Sequence, residues 1–184
     1  WSNREFNRRA ERINAYLERF GAKGFRTPLT HRQPDWMQAI QADYDMSFFD
    51  TDPYEPIPGG TMSIWPFLMG HLMVLPYTLP QDYTLTHVLG QSTPDIWLNK
   101  TRFLEKYHGL VLINVHPDYL LTERTWGVYS SFLQTMREQE RYWHSLPLNV
   151  ARWWRMRMET TETESLAGAA SGTVYLSGSE IEIV

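Results

Sequence analysis

Three parts of the sequence end in side chains that could take part in acyl hydrolysis. Arg26, the carboxylate pair Asp50 and Asp52, and His116 each follow a short, largely apolar segment. Because active sites of parallel α/β barrels are built from the carboxyl ends of their strands, these side chains are expected to converge. A guanidinium, two carboxylates and an imidazole in one place supply parts of a hydrolytic site.

Each of these residues also has a structural interpretation when it is taken singly. An arginine at a strand end can be an ion-pair partner, and an aspartate before a proline, such as Asp52 before Pro53, is a common turn former. A lone histidine can be a hydrogen-bonded bystander. The sequence pattern alone leaves these alternatives open.

Hydrophobic spacing and turn residues predict the elements that would position these side chains. The predicted helices lie at about 3–20, from residue 34, 95–107, 125–139 and 148–155, and the predicted strands at 24–26, 44–49, 72–76, 110–115, 173–176 and 180–184. Alternation of strands and helices indicates an α/β fold with a largely parallel sheet or barrel. Two segments lie between predicted elements. Residues 50–63 are rich in proline and are predicted to form a long functional loop. Residues 160–172 have the composition of a mobile segment.

Composition restricts the classes of function. The chain has 184 residues, of which 42% are hydrophobic, and this suffices for one domain with a core. A net charge of −4 argues against nucleic-acid binding, and there is no long uncharged apolar run to span a membrane. The lack of cysteine excludes disulfides and thiolate metal sites and agrees with a cytoplasmic protein. The oligomeric state is left open, including a homo-oligomer.

Three motifs resemble those of the polysaccharide deacetylase (NodB-like) family. Gly24–Pro28 resembles its third motif, Tyr44–Asp52 its fourth and Leu112–Pro117 its fifth, in the same order and with similar spacing. The resemblance runs from about residue 1 to residue 155. Further segments resemble a bacterial subgroup of such proteins: Pro53–Pro56, Leu79–Asp82 and Asp95–Trp97.

The resemblance implies a fold. We expect a distorted (β/α) barrel of the polysaccharide-deacetylase type, here lacking its first strands. Residues 1–158 would be the C-terminal portion of that barrel, and 159–184 would be a mobile tail with terminal strands. Because the chain opens at Trp1 without an initiator methionine, it is expected to be a fragment of a longer polypeptide.

The resemblance also implies an activity for the intact parent. That activity is metal-dependent hydrolysis of an N-acyl group, most often acetyl, from an amino sugar or a polysaccharide precursor. His116 would protonate the leaving amine. Asp50, or as second choice Asp52, would hydrogen-bond this histidine. Arg26 would orient a general-base carboxylate.

The metal and the base are expected from residues outside this sequence. In the family both belong to motifs upstream of the third, and the 25 residues before Arg26 contain neither His nor Asp. The resemblance therefore implies a divalent metal, usually zinc, bound mainly by residues upstream of Trp1. The missing N-terminal portion of the polypeptide is therefore expected to be needed to complete the site. Whether this fragment alone is active is left open.

Aromatic residues make up 14% of the chain and suit a carbohydrate substrate, since flat rings stack on the apolar faces of sugars. His31, Trp65 and Tyr77 are the predicted substrate-binding residues. Packing of these aromatic rings onto the barrel, and a surface role for the histidine, are the structural alternatives. The alternative function is a catalytically inert carbohydrate-binding member of the same fold.

Overall fold

The computed structural model describes residues 2–27, 33–54, 60–139, 141–167, 174–177 and 180–183, and these form a mixed α/β structure. The α-helices are α1 (Asn3–Phe20), α2 (Pro34–Met37), α3 (Asp95–Lys106), α4 (Glu123–Arg137) and α5 (Pro147–Ala167). The strands are β1 (Gly24–Phe25), β2 (Tyr44–Asp45), β3 (Phe67–Met69), β4 (Leu72–Val74), β5 (Val174–Ser177) and β6 (Glu180–Ile183). A short π-helix (Thr84–Val88) and a 3₁₀ turn (Pro117–Tyr119) complete the described elements.

Helix α1 begins and ends where its sequence predicts. The Ser2 hydroxyl accepts a hydrogen bond from the backbone N–H of Glu5, and Gly21 ends the helix in the left-handed conformation (φ 62°). The Glu5 carboxylate does not complete a reciprocal capping box but accepts from Arg8 and Arg9 instead. A cap and a glycine stop are therefore sufficient to fix both ends.

The sheet has four strands in the order β1-β2-β4-β3. Strands β1, β2 and β4 are parallel, as the alternating pattern predicts, and β3 is antiparallel to β4. The hairpin β3–β4 turns at Gly70, whose φ of 61° suits a residue without a side chain. Because β3 is antiparallel, the sheet is mixed rather than wholly parallel. The sequence did not predict this strand.

Beyond the regular strands, the backbone pairing continues toward the candidate site. Asp50 N donates to Tyr77 O, and Tyr77 N donates to Phe48 O, at 2.9 and 3.0 Å. Thr78 N then donates to the carbonyl of Leu112, and Asp82 N to that of Asn114. From the first of these two pairs to the second, the residue number increases in both segments. The segment 110–116 therefore runs parallel to 78–82.

The segment 110–115 lies beside its neighbour without being a regular strand, which corrects the sequence prediction. Side-chain oxygens replace part of its main-chain pairing. The Thr78 hydroxyl donates to Leu110 O and accepts from Leu112 N, and the Asp82 carboxylate accepts from His116 N. The segment is held at its predicted place by polar side chains of the adjacent segment.

Helices cover both faces of this layer. Met73 and Leu75 pack with Ala151 of α5, and Leu72 packs in a cluster with residues of α1 and α2. The 110–116 segment lies between two clusters: Leu110 and Leu112 face that of α5, whereas Val111 and Ile113 pack against that of α3 and α4. Packing against an apolar cluster on each side explains why this segment is so apolar in sequence.

The C-terminal part differs from its prediction. Helix α5 continues to Ala167, so the predicted end near Arg155 is too early, and the helix runs across the proposed boundary at 158/159. Its last turns fall in the segment 160–172 that composition assigned to a mobile region; residues 168–172 lie outside the described residues. Strands β5 and β6 form the predicted terminal hairpin, with Val174 paired to Ile183.

Candidate active site around His116 and Asp82

A histidine–aspartate pair lies at the end of the 110–116 segment. The Asp82 carboxylate accepts from the ring of His116, with 2.8 Å between Nδ1 and Oδ1, and from the backbone N–H of the same residue at 2.8 Å. Asp82 is fully buried, whereas the side chain of His116 is 38% exposed. The pair thus has one partner inside the protein and one that solvent or a substrate can reach.

This geometry decides which nitrogen of the imidazole is available. A carboxylate only accepts hydrogen bonds, so Nδ1 carries the proton in the contact with Asp82. Nε2 is then left for proton exchange with a ligand.

Asp82 is held by two backbone hydrogen bonds, and the turn that carries it is held by a third. Its backbone N–H donates to Asn114 O, and its carbonyl accepts from the Thr86 hydroxyl at 2.7 Å. Two residues earlier, Pro80 O accepts from the indole Nε1 of the fully buried Trp97 at 2.8 Å. Helix α3 therefore anchors the turn that presents this carboxylate.

Asp82 corrects the predicted partner of His116. The sequence favoured Asp50, or second Asp52, for this hydrogen bond, because both follow the fourth-motif strand. The structure gives the bond to Asp82, which follows the buried run of residues 72–80. A signal was available in the sequence, since Asp82 also follows an apolar strand.

Asp50 occupies a different environment. It is 9% exposed, and desolvation is the main cause that raises the pKa of its carboxyl above the usual range. The charge of Lys100 acts in the opposite direction, and the negative charge of Asp52 adds to the rise. A buried carboxyl with a raised pKa in such a place is a candidate functional group.

Asp52 contributes its backbone rather than its carboxylate to this region. Its side chain is exposed, and its carbonyl accepts from Nζ of the buried Lys100 at 2.7 Å. Lys100 belongs to α3, so this helix anchors the segment that carries Asp50 as well as the turn that carries Asp82.

Arg26 is exposed at the end of β1. The next residue, Thr27, donates its N–H to the Ser47 hydroxyl at 2.8 Å, and that hydroxyl donates to the buried Asp45 carboxylate at 2.6 Å. The end of β1 is thereby fixed against the continuation of β2. The sequence did not single out Asp45, which is bound inside the fold.

The structure brings these segments together as a series of neighbours. The order is 24–27, 44–50, 72–78 and 110–116, so the ends with Arg26 and Asp50 are adjacent. The end with His116 is separated from that of Asp50 by the segment of β4. Asp82 comes from that intervening segment and contacts His116 directly.

The predicted substrate-binding residues have different positions. Trp65 is exposed and donates its indole N–H to Tyr107 O, at the end of α3. Tyr77 is buried, stacks on Phe49 and accepts from the Gln81 side chain. Its ring is therefore part of the packing beneath the candidate site. His31 lies outside the described residues.

The sequence did not identify an exposed aromatic group that borders the pair. The ring centroid of Tyr119 lies 5.2 Å from that of His116 and 4.8 Å from that of Tyr83. His87 stacks on Tyr83 at 5.1 Å. Tyr83 and Tyr119 come from separate parts of the chain, so their proximity could not be inferred from spacing.

Two features of the described part of the chain bear on metal binding and on membrane insertion. There, no three His, Cys, Asp or Glu side chains are grouped so as to hold a metal ion. Within the same residues, no helix combines the length and the apolar character that crossing a bilayer requires. The chain has no significant match among protein-family models, curated proteins or solved structures.

Proposed function

We propose that this chain is the C-terminal portion of a polysaccharide-deacetylase-like barrel whose intact parent removes an N-acyl group, most often acetyl, from an amino sugar or polysaccharide precursor. The observation that carries the proposal is the pair formed by the accessible His116 and the buried Asp82. The motif resemblance supports it. So does the order of the parallel segments, whose ends hold Arg26 and Asp50.

In this proposal His116 is the general acid. Water adds to the acyl carbon and gives its proton to the general base. Nε2 then donates a proton to the sugar nitrogen of this adduct, the bond between that nitrogen and the acyl carbon breaks, and the neutral amine and the carboxylic acid leave. Asp82 keeps the proton on Nδ1 and fixes the orientation of the ring, so that Nε2 is left for the substrate. A half-exposed imidazole on a buried carboxylate suits this task, because the substrate can reach only the free nitrogen.

Asp50 and Arg26 have supporting roles. With Asp82 as the partner of His116, the carboxyl of Asp50 is available to bind substrate polar hydrogens next to the reacting bond. The raised pKa of Asp50 means that burial disfavours its charge, and such a cost is tolerated where a group serves function. Arg26, exposed at the adjacent strand end, would orient the general-base carboxylate.

The described residues do not fit a divalent metal ion, because they include no group of three suitable ligands. We therefore assign no step of this chain's chemistry to a metal. The proposal places the metal ligands and the general base in the N-terminal portion of the same polypeptide, in agreement with the family's motif order. The carbohydrate substrate would lie between the two portions.

The test is acetate release from N-acetylated chito-oligosaccharides by the intact parent with added zinc. The parent should release acetate, and His116→Ala should lower turnover by about 10²- to 10⁴-fold while the circular dichroism spectrum is unchanged. Equal turnover by the variant would reject the assignment. Binding of the oligosaccharide without acetate release would favour the inert carbohydrate-binding alternative.

A further inference from the structure

Two tyrosine rings form an exposed surface beside the proposed general acid. Tyr83 is 45% exposed and Tyr119 is 38% exposed, and their centroids are 4.8 Å apart with an interplanar angle of 45°. His87 lies nearly parallel to Tyr83, with 12° between the ring planes. Contiguous exposed aromatic surface on a folded protein often marks a binding site.

Polar contacts hold His87, whose ring stacks on Tyr83. The Thr86 hydroxyl donates its single proton to Asp82 O, so His87 Nδ1–H donates to this hydroxyl at 2.8 Å. Arg124 of α4 donates to the carbonyls of Thr86 and Gln91. The orientation of His87 under Tyr83 is therefore fixed before any ligand arrives, which lowers the entropic cost of binding.

The backbone also places Tyr83 and His87 on the same side. The π-helix Thr84–Val88 is closed by a bond from Leu89 N to Thr84 O at 2.8 Å. A short π-helical turn is uncommon and frequently occurs at functional sites. Here it directly follows Tyr83.

The surface is continuous with the histidine–aspartate pair. Tyr83 is the residue after Asp82, and the 3₁₀ turn Pro117–Tyr119 brings the Tyr119 ring to 5.2 Å from that of His116. This turn is closed by a bond from Tyr119 N to His116 O at 3.0 Å. A ligand atom at His116 Nε2 would thus belong to a molecule whose body lies near the two tyrosines.

We propose that Tyr83 and Tyr119 form a stacking platform for the pyranose ring that carries the leaving amine. A sugar with equatorial substituents has a face of C–H groups that packs on an aromatic ring, while the tyrosine hydroxyls stay in solvent. This inference rests on the proposed function for its choice of ligand. It adds a subsite for the sugar ring to that function.

The experiment measures binding separately from turnover. Binding of the fully deacetylated glucosamine tetramer, which has no acyl group to lose, is measured by calorimetry on the intact parent. Tyr83→Ala and Tyr119→Ala should each raise the dissociation constant about 3- to 10-fold. Tyr119→Phe, which keeps the ring, should bind like the wild type.

Tyr16→Ala is the matched control, because Tyr16 is an exposed tyrosine on α1 that stacks on Phe20. It should leave binding unchanged, and thermal unfolding of every variant checks the fold. Tyr119→Leu, which keeps apolar bulk without an aromatic face, replaces Tyr119→Ala if the latter does not fold.

The outcomes separate the platform from the proposed function. Unchanged binding in both alanine variants, or no binding of the tetramer by the wild type, would overturn the platform even if acetate release is normal. Tyrosine-dependent binding by a parent that releases no acetate from any N-acetylated chito-oligosaccharide would overturn the hydrolase and support the platform.

Discussion

The substitution Asp82→Asn replaces one carboxylate oxygen of a buried side chain by an amide group and barely alters its volume. In the wild type the two oxygens accept from His116 Nδ1 and from His116 N, each at 2.8 Å. An asparagine can offer only one acceptor oxygen. If this oxygen keeps the backbone N–H, the amide NH₂ faces Nδ1.

That arrangement forces a change in the imidazole. Nδ1 must become an acceptor, which moves the proton of the neutral ring to Nε2, and the doubly protonated imidazolium meets a donor instead of a carboxylate. The general acid is then the disfavoured form of His116. We expect turnover to fall by about 10²- to 10⁴-fold, the usual contribution of general acid–base catalysis.

Stability should change much less than activity. A hydrogen bond to a charged group contributes about 1.5–3 kcal/mol, and Asp82→Asn keeps one of the two bonds and the packing. Urea unfolding should therefore show a loss of about 1–3 kcal/mol with an unchanged fold. A larger loss in turnover than in stability separates a role in proton transfer from a structural one.

The assay is acetate release as a function of pH, together with nitrogen-15 NMR of the histidine ring. The rate should fall across the whole pH range of the assay in Asp82→Asn, and the neutral ring should carry its proton on Nε2. Asp118→Asn is the matched control, because Asp118 is exposed and lies two residues from His116. Wild-type turnover in Asp82→Asn, or an equal loss in the control, would refute the reasoning.

Three further substitutions test the surroundings of the pair. Burial raises the pKa of Asp50, so its bound proton stabilises the fold below the ordinary aspartate pKa, and this stability is lost as the pH rises through the raised value. Asp50→Asn should therefore raise the melting temperature at about pH 7 more than at about pH 3 while lowering turnover; an equal shift at both would contradict the burial argument. Lys100→Met removes a positive charge that lowers the pKa of Asp50, so carbon-13 NMR of the carboxyl should show titration at higher pH, and an unchanged titration would exclude the proposed proximity. Trp97→Phe leaves Pro80 O without its indole donor and should lower the free energy of unfolding by about 1–3 kcal/mol, measured in urea.

Local features of the fold could be predicted because they depend on neighbouring residues. Ser2 and Gly21 determine the ends of α1, and the apolar runs around Leu72 and Leu112 mark the buried segments. The hairpin strand β3 was missed because Phe67–Met69 is only three residues long and sits next to a longer apolar run. The end of α5 was missed because residues 160–167 have a polar composition that is typical of loops.

The candidate site could be predicted only in part. The sequence places His116 and Asp50 at the ends of apolar segments, and the structure keeps them there. Which carboxylate meets the imidazole depends on how 110–116 pairs with 78–82, and that pairing is set by the hydroxyl of Thr78 and by the Asp82 side chain itself. Spacing along the chain carries no information about such cross-segment contacts.

The same limit applies to the aromatic surface. Tyr83 and Tyr119 are 36 residues apart in the sequence and meet because two turns follow adjacent extended segments. Conversely, Tyr77 is predicted to bind substrate because it is an aromatic residue of a segment that could shape the sugar cleft. Its ring is buried within the run 72–80 and stacks on Phe49 instead.

The proposed hydrolase depends most on the distance between His116 and the scissile amide. A crystal structure of the longer polypeptide that we propose, with a bound N-acetylglucosamine oligomer, measures it directly. We predict His116 Nε2 within about 2.6–3.2 Å of the amide nitrogen, Asp82 on Nδ1, and Arg26 and Asp50 opening into the same cavity. A sugar bound elsewhere, or Arg26, Asp50 and His116 facing separate cavities, would contradict the proposed hydrolase.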